Sequence, residues 1–182
     1  MKQKKIFYEV IKTEERSFTD ESDKKKFLDL VQQVKQKMEL NILAFCITDD
    51  EGHFLVDSQS ERKIALAAAQ IMGDFSNYYR NRYQKQCGNI VQEMRFRRYM
   101  TEEEIVDSCL KLHLLPMKQK LVKKPEDYWW SSYLEYRRNY KRGIVNTEVI
   151  LRYLDKDRKR AVRKFVCLHH ESHYINELQE KL

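Results

Sequence analysis

Asn41-Ile42-Leu43-Ala44-Phe45-Cys46-Ile47-Thr48, then Asp49-Asp50-Glu51-Gly52, then His53-Phe54-Leu55-Val56 is the stretch from which the fold is read. The first eight residues are almost continuously apolar, as a strand covered on both faces would be. The acidic run ending in glycine supplies a turn, and the last four residues resume the apolar run, so the stretch predicts a β-hairpin. Before it, Ile6 to Lys12 (I-F-Y-E-V-I-K) is β-branched and aromatic and predicts a strand. Between the two, the polar cluster Thr19 to Asp23 offers N-caps to a helix on which Phe27, Val31, Val34 and Met38 recur at helical spacing. After the hairpin, Ile64, Ala68, Ile71, Phe75 and Tyr78 predict a helix from about Glu61 to Arg82, weakened by interior Gly73, which costs ~1 kcal/mol relative to alanine. Ile90 to Met100 alternates as another strand. Thr101 with Glu102, Glu103 and Glu104 then opens a helix carrying Ile105, Val106, Cys109, Leu110 and Leu112, expected to stop near Pro116.

This order predicts an α+β chain: a ferredoxin-like βαββαβ antiparallel sheet with helices on one face. The expected division is a domain at 1–117 and a basic, mainly helical C-terminal extension at 118–182 packed on it. In the extension, Ser131 and Ser132 can cap a short helix, Val149 to Leu154 suggests a second and Asp155 to Val166 a third. The 182 residues suit one domain, and a chain of this size buries roughly 70% of its unfolded surface. With 42% hydrophobic residues, 12% aromatic, only 4 Gly and 2 Pro, the chain belongs to neither the disordered nor the collagen-like class. No apolar run approaches the ~20 residues of a membrane span, and Met1 to Lys5 leads into a strand rather than an apolar leader, so a cytoplasmic location without membrane contact is expected. Cys46, Cys87, Cys109 and Cys167 form no C-x-x-C pair, which argues against a disulfide framework or zinc knuckle, with Cys46 and Cys109 expected in the core. Cys167, His169, His170 and His173 lack zinc-finger spacing and are expected to hold no metal.

Net charge is +7, unevenly spread: Lys118 to Lys164 holds 15 basic and 6 acidic residues. Tyr128, Trp129, Trp130, Tyr133, Tyr136, Tyr140 and Tyr153 interleave with them. Basic groups with aromatic faces suit single-stranded nucleic acid, while a solvated basic face over an aromatic core would produce the same pattern.

Leu121 to Tyr133 (L-V-K-K-P-E-D-Y-W-W-S-S-Y) resembles the signature GLVxxPEDYPWSSY of the REP-associated and insertion-sequence single-tyrosine transposases of the HUH superfamily. Asn41 to Val56 is similar to that family's vLAYCIMxNHVHLLI hairpin, Gly88 to Gln92 to its GxvfQ, and Leu112 to Met117 to its IHxNPV. The resemblance implies the ferredoxin-like sheet, binding of imperfect DNA hairpins, and strand cutting by tyrosine attack on phosphate with a divalent metal.

That chemistry needs two histidines on one strand face, a helix tyrosine, and a polar ligand one turn after it. Here Glu51 and His53 hold the two strand positions, Lys111 holds the tyrosine position and Leu115 the polar one. A lysine cannot form a phosphotyrosyl bond, and leucine has no donor atom. Three of four positions depart from the pattern, so a degenerate active site without single-tyrosine cleavage is expected. Lys111 is expected in an ion pair with Asp107, and His53 as a packed strand residue; Glu51 with His53 as ligands to Mg²⁺ or Mn²⁺ is the alternative, and no other cofactor is expected.

The expected DNA-binding residues are Arg95, Arg97, Arg98, Lys118, Lys120, Lys123, Lys124 and Trp130, although Trp130 also fits a packing role. The leading expectation is a transposase-like protein that binds structured single-stranded DNA, typically a hairpin. Two alternatives stand beside it: a metal-dependent nuclease or transposase using Glu51 and His53 with another nucleophile such as Tyr99 or water, and a protein or RNA interaction module on the same fold. Related transposases occur as monomers and dimers, and the sequence is compatible with both.

Overall fold

The computed structural model describes residues 6–13, 17–58, 60–84, 91–99, 101–138 and 142–179. Cys87, Gly88 to Ile90, Met100 and Tyr140 lie outside them, as does the side chain of His173. Strand β1 (Ile6–Thr13), helix α1 (Glu21–Lys37), strands β2 (Asn41–Ile47) and β3 (Glu51–Asp57), helix α2 (Glu61–Tyr83) and strand β4 (Val91–Tyr99) form the βαββαβ unit. Its antiparallel sheet has the order β2-β3-β1-β4, the ferredoxin-like arrangement that the sequence predicts.

Local chemistry fixes the helix ends. Asp20 accepts from the Ser22 amide and Ser60 from the Lys63 amide. Thr101 and Glu104 form a reciprocal capping box, 3.1 Å in each direction, which satisfies donors that a helix start leaves unpaired. On one face of the sheet, Phe27, Val31 and Val34 of α1 and Ile64, Ile71 and Phe75 of α2 pack on Phe7, Ile11, Phe45 and Phe54. Gly52 faces this layer; a Cβ there would lie 3.2 Å from the Phe27 and Phe54 rings, which would have to give by a few tenths of an ångström to admit it. Gly73 has open space around its missing Cβ, and α2 runs through it.

The opposite face is also covered. Helix α3 (Glu102–Lys118) and the C-terminal helices α4 (Tyr133–Arg138), α5 (Glu148–Leu154) and α6 (Arg158–Gln179) bury Ile105, Cys109, Leu112, Tyr136, Leu151 and Phe165 against Ile6, Leu43, Cys46 and Leu55. Helix α3 passes Pro116 by two residues, because proline removes only its own amide and Gln119 still donates to the Leu115 carbonyl (2.9 Å). Helix α6 runs well beyond the expected Val166.

A buried hydrogen-bond chain ties these layers together. The Phe45 amide donates to Ser132 Oγ (3.0 Å), which lies 2.7 Å from His113 Nε2. His113 Nδ1 lies 3.2 Å from His169 Nε2, and His169 Nδ1 2.7 Å from the Phe165 carbonyl. A carbonyl only accepts, so neutral His169 carries its proton on Nδ1, His113 donates from Nδ1, and Ser132 donates to His113 Nε2. Burial lowers both histidines, His113 well below its ordinary range and His169 to about 4, which keeps the chain neutral.

Candidate nucleic-acid interface

Strand period decides which side chains meet. Register pairs Tyr8 with Leu55 and Arg97, Val10 with His53 and Arg95, and Lys12 with Glu51 and Glu93. Glu51, His53, Tyr8, Lys12, Arg95 and Arg97 therefore share the α3-side face. Arg98 pairs with Phe7, a residue of the α1–α2 core, and so lies on the other face. The three arginines, within four residues of one another in sequence, are split two against one.

His53 is 4% exposed. Its Nδ1 lies 2.7 Å from the Tyr8 hydroxyl and its Nε2 3.1 Å from Glu51 Oε2, although off the line a ring N–H would take. Burial lowers His53 to about 4, against a smaller opposing effect of Asp50. Burial, with Tyr99 and other neighbours adding to it, raises the Tyr8 phenol well above its ordinary value. The Tyr8 hydroxyl and Nδ1 can form their hydrogen bond in either neutral tautomer, and the buried Nε2 has no hydrogen-bond partner of its own among the described residues. Tyr8 was not singled out by sequence; its meeting with His53 depends on β1–β3 register, which local pattern does not encode.

Around this group the cations are engaged. Lys12 Nζ lies 4.0 Å from Glu51, and Arg95 makes two 2.6 Å hydrogen bonds to Glu93. The Arg97 guanidinium lies 5.3 Å from the Tyr99 ring centroid, and Ser108 of α3 donates to the Tyr99 hydroxyl (3.0 Å). On α3, Lys111 pairs with Asp107 at 2.6 Å, both side chains more than half exposed. Leu115 packs partly buried against the second core.

After α3, Lys118, Lys120, Lys123 and Lys124 are all exposed. The chain then runs beside β2: the Ile47 amide donates to the Trp130 carbonyl (2.9 Å), and the Ser132 amide to the Phe45 carbonyl (2.9 Å). Trp130 is half-buried against both cores, whereas Trp129 is 48% exposed. The C-terminal basic residues are partly neutralised at home, Arg158 by Glu148 (2.9 Å), and Arg160 (3.2 Å) and Lys164 (2.8 Å) by Asp155. Cys167 and His170 are exposed while His169 is buried in the hydrogen-bond chain.

The family model described as "Transposase IS200 like" matches residues 5–103, more than half of the chain. The chain belongs to this transposase family. A solved REP-associated tyrosine transposase bound to a REP hairpin has the same fold, with a TM-score of 0.62 at 15% identity, covering 81% of this chain and 85% of that one. A tRNA(His) guanylyltransferase from Saccharomyces cerevisiae overlays with a TM-score of 0.51 at 13% identity, covering 88% and 75%. A putative transposase from Deinococcus radiodurans R1 overlays with a TM-score of 0.44 at 16% identity, covering 56% and 83%. No curated protein matches the sequence.

In this member of the IS200-like transposase family, Glu51 and His53 stand side by side at the strand positions of the expected metal site, with Oε2 and Nε2 3.1 Å apart. Among the described residues no group of three His, Cys, Asp or Glu is placed to hold a metal. Among the described residues no helix is long and apolar enough to cross a membrane.

Proposed function

We propose that this transposase-family protein binds structured single-stranded DNA, with a hairpin as its target, and does not perform single-tyrosine strand cleavage. The observation that carries the reading is position 111: an exposed ammonium paired with Asp107 stands where the chemistry needs a phenol, and among the described residues no third His, Cys, Asp or Glu joins Glu51 and His53. The fold shared with a hairpin-bound transposase supports the choice of ligand. Arg95 and Arg97 on the sheet, with Lys118, Lys120, Lys123 and Lys124 after α3, are the proposed phosphate contacts; Arg98 would reach DNA only around the β4 edge. The shared second core supports reading 118–182 as an extension folded onto 1–117.

The test is to incubate the protein with labelled hairpin DNA and Mn²⁺ and run native and denaturing gels in parallel. A native shift with neither cleaved nor protein-linked DNA is expected. No shift with any hairpin would sink the binding reading.

One observation favours a second reading, retained cleavage. The Tyr8 hydroxyl contacts an imidazole nitrogen, so a phenol with a base stands on the same sheet face. That reading predicts DNA covalently attached to the protein and lost in Tyr8→Phe, or strand cleavage lost in His53→Ala.

A further inference from the structure

Resting on the DNA-binding reading, we propose that Trp129 and Arg142 form a stacking site for one unpaired nucleobase of the bound strand. Trp129 is a large aromatic residue held nearly half in solvent, at 48% exposure, on a backbone that has little freedom. Its neighbours anchor it. Tyr128 is buried and its hydroxyl donates to the Ile47 carbonyl (2.7 Å), the Trp130 carbonyl accepts from Ile47, and Ser131 forms a β-bridge with Cys46. Trp129 and Trp130 lie in a turn in which Trp130 packs against the core and Trp129 is left exposed.

The indole is held in orientation as well. The Arg142 guanidinium carbon lies 4.4 Å from the Trp129 ring centroid, and the same side chain donates to the Trp129 carbonyl. It also lies 6.0 Å from the centroid of the buried Phe45 ring, which backs the pair with core. The rotamer is thus ordered before any ligand arrives, and a flat cation beside an indole adds positive charge to an aromatic face.

The ligand class follows from charge and shape. Exposed Lys118, Lys120, Lys123 and Lys124 precede Trp129 within the same connection, so what stacks there carries negative charge. A polyanion with flat faces is a nucleic acid, and only an unpaired base offers its face. A duplex stem keeps its bases stacked on each other. The site therefore reads an unpaired base flanking the hairpin, separately from the phosphate contacts to the stem.

Three DNAs test this on the full chain: a blunt hairpin, the same hairpin with an unpaired flank, and that hairpin with abasic flank positions. Trp129→Leu is expected to weaken the flanked hairpin by about 5- to 150-fold, the span of one base–aromatic stack. Its affinity for the blunt and abasic hairpins should change less than about twofold, and Trp129→Phe should recover most of the loss. Trp129 and Trp130 are the chain's two tryptophans, so intrinsic fluorescence should be quenched by the flanked DNA and not by the abasic one. Equal affinity of Trp129→Leu and the unchanged protein for the flanked hairpin overturns the stacking site and leaves DNA binding intact. Failure of the unchanged protein to bind all three DNAs overturns the DNA-binding reading and the stacking site with it.

Discussion

At residue 111 the exposed side of α3 carries an ammonium 2.6 Å from Asp107, one helical turn back. Such a surface pair is worth roughly 0.3–0.5 kcal/mol, so its exchange for another exposed side chain has little structural consequence. The chemical consequence depends on the neighbours. A tyrosine there would supply a phenol, but Leu115 one turn on has no donor atom with which to complete a metal site at Glu51 and His53. Lys111→Tyr is therefore expected to keep stability within about 0.5 kcal/mol of the unchanged protein in urea titrations. With hairpin DNA and Mn²⁺ it should give no protein-linked product on a denaturing gel. A linked product from this single exchange would mean that Glu51 and His53 do hold a metal.

Among the elements, α3 and α6 meet through a buried chain of hydrogen bonds that makes stability pH-dependent. His113 and His169 are held below their unfolded value of ~6.5 by burial, so between about pH 6.5 and pH 4 the unfolded chain binds more protons than the folded one. Their contribution is complete above about pH 6.5 and is lost as pH falls, at about 1.4 kcal/mol per pH unit for each histidine. Glu9 and Glu135 oppose this. Burial raises their carboxyls to about 8 and about 7, so their contribution is complete below the unfolded carboxylate range and is lost as pH rises. Comparison with a variant separates the terms. His113→Asn should cost about 3 kcal/mol at pH 7, because His169 Nε2 loses its donor and the Ser132 hydroxyl keeps only its Phe45 contacts. Its denaturation midpoint should also fall less steeply between pH 6.5 and 4.5; an unchanged pH slope would show that His113 is not held neutral. The βαββαβ order was legible in sequence because each element carries its own period and caps, as Thr101 with Glu104 illustrates. The hydrogen-bond chain was not: Phe45, His113 and His169 come from β2, α3 and α6 and Ser132 from the connection before α4, and no local pattern joins them. The same limit hid the Tyr8–His53 contact and the facing of Arg98, both set by inter-strand register, and the outward turn of Trp129, set by pairing with β2.

For the whole molecule, the charge of +7 is a weaker guide than where the charge is free to act. The segment Lys118 to Lys164 looks uniformly basic in sequence, yet the fold divides it. Arg137, Arg158, Arg160 and Lys164 lie against Glu126, Glu148 and Asp155, and the pairing holds the Asp155 carboxyl down to about 2. Lys118, Lys120, Lys123 and Lys124 stand exposed on the connection that leads to Trp129. A cation already paired to a carboxylate releases little when it meets a phosphate, whereas an exposed lysine displaces a condensed counterion, with a slope of about 0.7–0.9 in log affinity against log salt. Replacing the four lysines with glutamine should therefore flatten the salt dependence of hairpin binding by roughly 3 units, since four contacts each remove about that slope. Replacing Arg158, Arg160 and Lys164 instead should change it by less than about 1. Affinity titrations between low and physiological salt distinguish the two variants directly. If the α6 variant loses the slope and the lysine variant keeps it, the strand runs along α6 rather than past Trp129, and the phosphate contacts assigned to the connection after α3 are wrong.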